Sequence, residues 1–112
     1  MIVTLDALCK ALDALGVPWA NQRFSDGDEP QPPFICLVAG FSGAAYADNA
    51  VWRDWMEYDV ALYTRNRDYA TERKIGDALD AIECPYALAI TPIDSENLIE
   101  AAFSVSVAEH QE

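Results

Sequence analysis

Glu57 and Asp59 stand two residues apart in a stretch that alternates like a strand, VWRDWMEYDVALYT over residues 51–64. A period of two puts both carboxylates on one face, the arrangement that general acid–base chemistry would need. Arg53 and Arg65 fall on the same face, and cross-strand ion pairing or a subunit contact accounts for the set at least as well as catalysis. Three further acids, Asp26, Asp28 and Glu29, crowd the segment SDGDEPQPP at residues 25–33. They lack the regular ligand spacing and final bidentate glutamate of a calcium loop, and read as a solvated loop. The single histidine, His110, lies in a polar tail, so Ser-His-Asp and Cys-His arrangements have no ordered base. Cys9, Cys36 and Cys84 are too far apart for the usual zinc pairing. No GxSxG, P-loop or dinucleotide fingerprint occurs, and Gly40-Phe-Ser-Gly43 is followed by neither Lys-Ser/Thr nor a helix start. The residues therefore predict no enzyme, no metal site and no cofactor.

Charge narrows the partners. Nineteen acidic against seven basic residues leave a formal charge of −12. Contact with phosphates would concentrate like charge rather than release counterions, which argues against sequence-specific nucleic-acid binding and against anionic membrane. A cationic partner, a surface that repels DNA, and plain solubility all fit the excess. Cys9 and Cys36 sit in apolar runs and predict small packed hydrophobes, and the odd, widely spaced count predicts a reducing cytoplasm rather than a disulfide framework. The amino terminus has neither the basic start nor the long apolar run of a signal peptide, and no stretch reaches the length of a membrane span.

The elements follow from periodicity. Leu5, Leu8, Cys9, Leu12 and Leu15 repeat at helical spacing behind Thr4 as N-cap, and Gly16 and Pro18 end the run. Residues 18–24 predict a short strand and residues 34–39 (FICLVA) a central one. Residues 40–50 form a Gly/Ala-rich excursion before the long strand 51–64. Asp68 caps a second helix with a stripe of Ile75, Ala78, Leu79 and Ile82, ended by Cys84-Pro85. Residues 86–91 predict a strand, 92–97 a tight acidic turn, and 98–108 a strand with Ile99, Ala101, Phe103, Val105 and Val107 facing inward. Short links between strands imply a single α+β domain over residues 1–112. It is a mainly antiparallel sheet of four to five strands with two helices on one face, in the order α-β-β-β-α-β-β.

Within the long strand, Trp52, Met56, Tyr58, Val60 and Leu62 make the better core face. The other face mixes Trp55, Tyr63 and Val51 with Arg53, Glu57 and Asp59, aromatics and arginine rimmed by charge, as at the centre of a protein–protein interface. Coverage by a helix of the same chain is the competing reading. With Tyr46 of the adjoining loop, the candidate interface set is Tyr46, Arg53, Trp55, Glu57, Asp59 and Tyr63.

Several segments together resemble one family: Leu15-Gly-Val-Pro-Trp19, Arg23-Phe24 with the acidic Pro-rich loop, Pro33-Phe34-Ile35, Ala47-Asp48-Asn49, Leu62-Tyr63-Thr64 and Ile93-Asp-Ser-Glu-Asn-Leu98. Over nearly the whole chain they look like the small tail-completion proteins of prophages and long-tailed phages, similar to lambda-type tail terminators. Trp52, Trp55 and the Ala-rich 43–50 loop depart from that pattern. The resemblance implies an α+β fold and a ring, commonly of six copies, on the end of the tail tube. Such a ring stops tube polymerisation and joins the tail to the head. The implied partners are further copies of the chain, the major tail-tube protein and a head-completion or neck protein; the implied places are the bacterial host cytoplasm during assembly and the virion tail or neck. No cofactor is implied. On that reading Asp26, Asp28 and Glu29 face the lumen or a neighbouring protein. The adjacent head–tail joining position, and an acidic DNA mimic that occupies basic sites on another protein, are the alternatives.

Overall fold

The computed structural model describes residues 3–22, 30–39 and 55–108, excepting the side chains of Trp55, Met56 and Ala108. Helix α1 (Leu5–Asp13) begins where Thr4 Oγ1 accepts a hydrogen bond from the Ala7 amide at 3.1 Å. That cap satisfies one of the amides a helix start leaves unpaired, and Asp6 in the first turn complements the dipole. The helix ends at Asp13, before Gly16, whose φ of +79° turns the chain toward the first strand. Strands β1 (Trp19–Asn21), β2 (Phe34–Ala39) and β3 (Trp55–Thr64) follow.

Helix α2 (Tyr69–Ala81) starts at Asp68, whose carboxylate accepts from the Thr71 amide at 3.1 Å and the Thr71 hydroxyl at 2.7 Å. These bonds hold the Asp68 carboxyl below its ordinary range. Just before it, Arg67 donates to both oxygens of the buried Glu72 at 3.0 Å and stacks over the Tyr69 ring at 4.4 Å. The carboxylate thus enters the protein already paired. Strands β4 (Ala87–Ile93) and β5 (Leu98–Ala108) close the chain's described part. The 3-10 turn Asp94–Glu96 and Asn97, in the left-handed region at φ 56°, join them.

The fold is α+β, and among the described residues it comprises a five-stranded mixed sheet and two helices. Its spatial order is β1-β2-β3-β5-β4, so β5 sits between β3 and β4. Three pairings are antiparallel, as expected, but β1 and β2 run parallel, with Trp19 opposite Ile35 and Asn21 opposite Leu37. The expectation of short links fails there. Residues 22–33 separate the two strands, about the dozen residues a parallel connection requires. A second correction concerns Pro92, expected in the turn. It lies within β4 opposite Ile99, at the sheet's edge, where a missing amide costs no ladder bond.

Both helices cover one face. Leu8 and Leu12 of α1 and Ile75 and Leu79 of α2 cluster with Ile35, Leu37, Val60, Leu62, Phe103, Val105 and Val107, and Tyr58 and Ala101 complete the layer. This is the face that alternation assigned to the core, and β5 fulfils its pattern from Ala101 to Val107. Cys84 is buried, and burial raises its thiol pKa; burial with Asp13 and Asp6 nearby does the same for Cys9. None of the three cysteines is in a disulfide, and Cys9 and Cys84 stay protonated packing groups.

Truncating Phe103, which is fully buried opposite Val60, to alanine is expected to cost roughly 3–5 kcal/mol, readable in urea unfolding. Asp68→Ala should cost about 1 kcal/mol at neutral pH through the lost cap. Because the folded-state pKa of Asp68 is depressed, its contribution is present above the unfolded value and vanishes as pH falls through the folded one. The stability gap between wild type and Asp68→Ala should therefore close below about pH 4 in an acid series of melts.

Candidate functional site

The face of the sheet turned away from both helices holds the described part of the candidate interface. Registers build it row by row. Phe34, Tyr63, Glu100 and Thr91 lie side by side across β2, β3, β5 and β4. Cys36, Ala61, Ala102 and Ala89 form the next row, and Val38, Asp59, Ser104 and Ala87 the one after. Glu57 and Ser106 follow on β3 and β5. A row of small side chains thus runs between an aromatic–acid row and a second acid row.

Direct cross-strand pairs fix the polar groups. The Tyr63 hydroxyl donates to Glu100 Oε2 at 2.9 Å, and the Tyr63 ring tilts against Phe34 with centroids 5.4 Å apart. The Ser104 hydroxyl donates to Asp59 Oδ1 at 2.9 Å. Burial pushes the Tyr63 phenol above its ordinary pKa, and the bond to the Glu100 carboxylate adds to the rise. Glu57 is exposed, while Asp59, Tyr63 and Glu100 are half-buried. Beneath them Phe34, Cys36 and Ala61 are buried, yet none joins the cluster the helices enclose.

Glu57, Asp59 and Tyr63 thus share one face, as their spacing predicts. Trp55 opens β3 on that face, its side chain outside the described residues. Tyr46, Arg53, Asp26, Asp28 and Glu29 also lie outside the described residues, as does His110. Among the described residues Arg65 forms no ion pair; its guanidinium donates to Gln31 Oε1 at 3.0 Å. Asp59 is met by a serine instead of a cation, because β5 rather than a basic strand lies beside it. Glu100, Ser104 and Phe34 escape sequence reasoning because their roles exist only once register is set.

A second surface was read merely as a strand. Along the edge strand β4 and the residue before it, Tyr86, Leu88 and Ile90 are 38%, 44% and 36% exposed. Leu88 and Ile90 stand opposite Phe103 and Ala101, on the helix side but beyond the helices' cover. Tyr86 meets Phe103 edge-on at 5.2 Å, and its hydroxyl would lie 2.7 Å from a Cβ at Gly76 of α2. Glycine there lets the ring reach the helix backbone. Tyr69, at the start of α2, is 65% exposed.

Among the described residues no group of three or more His, Cys, Asp or Glu side chains could hold a metal ion, and no helix is long and apolar enough to cross a membrane. The arrangement holds acids and an aromatic in fixed positions on the sheet face opposite the described helices, groups of the kind found at protein contacts. Tyr63→Phe is expected to lower stability by about 1 kcal/mol through loss of the bond to Glu100. Titrating the folded protein by ultraviolet difference absorbance should show one phenol ionising well above the usual value of about 10, absent from the variant. Comparison of the chain with protein-family models, curated proteins and solved structures finds no match.

Proposed function

We propose that the chain is a structural assembly protein of the tail-completion type its motifs resemble, forming a ring that ends a phage tail tube and presents a surface for head joining. The observation that carries this reading is the fixed polar and aromatic set on the sheet face opposite the two described helices. There Tyr63 is held by Phe34 and Glu100, and Asp59 by Ser104. Aromatic and charged groups locked in place before contact lose little entropy when a partner arrives, which suits an interface more than a solvated surface. A ring needs two unlike patches per subunit. The start of α2 supplies a contrasting one, where the exposed Tyr69 ring carries the Arg67 guanidinium. The charge of −12 fits a particle whose channel passes DNA, since acids lining it would repel phosphates.

The test mixes the purified chain with the major tail-tube subunit of a phage tail and follows the tubes by electron microscopy. Wild type should give short tubes with ring density at one end. Glu57→Lys combined with Tyr63→Ala, on a face outside the core cluster, should leave the fold intact by circular dichroism and restore unlimited tube growth. Tubes of unchanged length with bare ends in the presence of wild type would overturn the proposal.

A further inference from the structure

Among the described strands the sheet ends at β4, and six of the seven residues in that strand are exposed. An edge strand leaves a row of backbone donors and acceptors free to pair with another chain, and proteins commonly guard such edges with charge. Here the guard is missing. Residues 84–93 (CPYALAITPI) contain no charged side chain, in a protein whose formal charge is −12.

The geometry also says which groups look outward. Ile93 and Leu98 close the turn to β5, and Pro92, having no amide hydrogen, belongs on the side away from β5. Alternation then turns the backbone groups of Ala87, Ala89 and Thr91 toward β5, and those of Leu88 and Ile90 toward the open edge. Leu88 and Ile90 also carry the exposed apolar side chains of the strand.

We propose that this edge pairs with the same edge of a second copy, antiparallel about a two-fold axis at Ala89. In that register Leu88 faces Ile90 of the second copy, and the two exchange N–H···O=C bonds in both directions, twice over by symmetry. The Tyr86 amide donates to the Pro92 carbonyl of the second copy, and the absent Pro92 amide ends the ladder there. Opposed residues in a ladder point to the same side, so the helices of both copies lie on one face of a continuous sheet, with Leu88 and Ile90 of each copy packed together. A second copy fits this edge because a two-fold contact sets the strand against itself, and with no charged side chain in residues 84–93 that register brings no like charges face to face despite the overall −12. A two-fold contact closes on itself and cannot propagate a ring. This association is therefore separate from the contacts proposed for the face opposite the helices and holds between chains free of the tube.

The experiment joins sedimentation to cross-linking. Wild type should sediment as a concentration-dependent dimer, and Ile90→Lys, at an already exposed position, as a monomer with an unchanged circular dichroism spectrum. Ala89→Cys should form a disulfide-linked dimer on mild oxidation, since opposed residues at a non-hydrogen-bonded position bring their Cα atoms to about 4.5 Å. Thr91→Cys, which faces residue 87 and stands roughly 13 Å from its own counterpart, should not. Wild type treated identically sets the background from Cys9, Cys36 and Cys84. A monomeric wild type, a dimer or ring that persists in Ile90→Lys, or equal cross-linking at positions 89 and 91 would each overturn the two-fold edge contact while leaving the tube-end reading intact. Cross-linking at 89 alone, together with bare tube ends, would uphold the edge contact and overturn the tube-end reading.

Discussion

β3 and β5 run antiparallel from Trp55 opposite Ala108 to Thr64 opposite Ile99, and the remaining contacts hang on that ladder. It is the longest pairing in the sheet, and its helix-side residues, Tyr58, Val60 and Leu62 against Val105, Phe103 and Ala101, form the floor on which both helices rest. β5 also holds β4 on its other side, so β3 and β4 run parallel with β5 between them and α2 crossing from one to the other. A helix with that path must lie over the sheet, which is why Ile75 and Leu79 meet the same layer as Leu8 and Leu12. Displacing β5 would at once remove the core's centre and the only pairing partner of β4 among the described strands.

With both described helices on one side, the described polar groups of the opposite face are held by pairing across strands: Tyr63 with Phe34 and Glu100, and Asp59 with Ser104. Each exposed or half-exposed pair contributes only tenths of a kcal/mol to about 1 kcal/mol, far less than the buried layer. Their effect is to hold polar groups in fixed positions on a rigid support, the condition under which a surface can recognise another protein without first becoming ordered.

Much of this was legible in residue order. Thr4 and Asp68 announce their helices because a capping oxygen three residues before an amide has one obvious partner, and the structure makes both bonds. The alternation of Tyr58, Val60 and Leu62 against Glu57, Asp59 and Tyr63 correctly separates the two faces of β3, since a period of two leaves no choice. What could not be read was who stands beside whom. Nothing in LIEAAFSVSVA says that this strand enters between β3 and β4, and without that the roles of Glu100 and Ser104 have no basis. The parallel pairing of β1 with β2 was lost for a related reason: adjacency along the chain suggested a hairpin, whereas the separation by residues 22–33 permits a crossover. Pro92 misled through its usual preference for turns, which an edge strand satisfies equally well.

Placing the last-emerging strand at an interior position of the sheet has a consequence for biogenesis. As the polypeptide leaves the ribosome, α1 through β3 and then α2 and β4 appear before β5 does. Until then β4 has no neighbour in its own sheet, and the apolar side of β3 has only β2 beside it. Closure of the sheet must wait for Leu98–Ala108 to enter between β3 and β4, so β4, which carries no charged side chain, stays unpaired until β5 follows it through the turn at Asp94–Asn97. The chain's folding is governed by contacts distant in sequence, a regime in which acquisition of structure is slow compared with that of helical bundles.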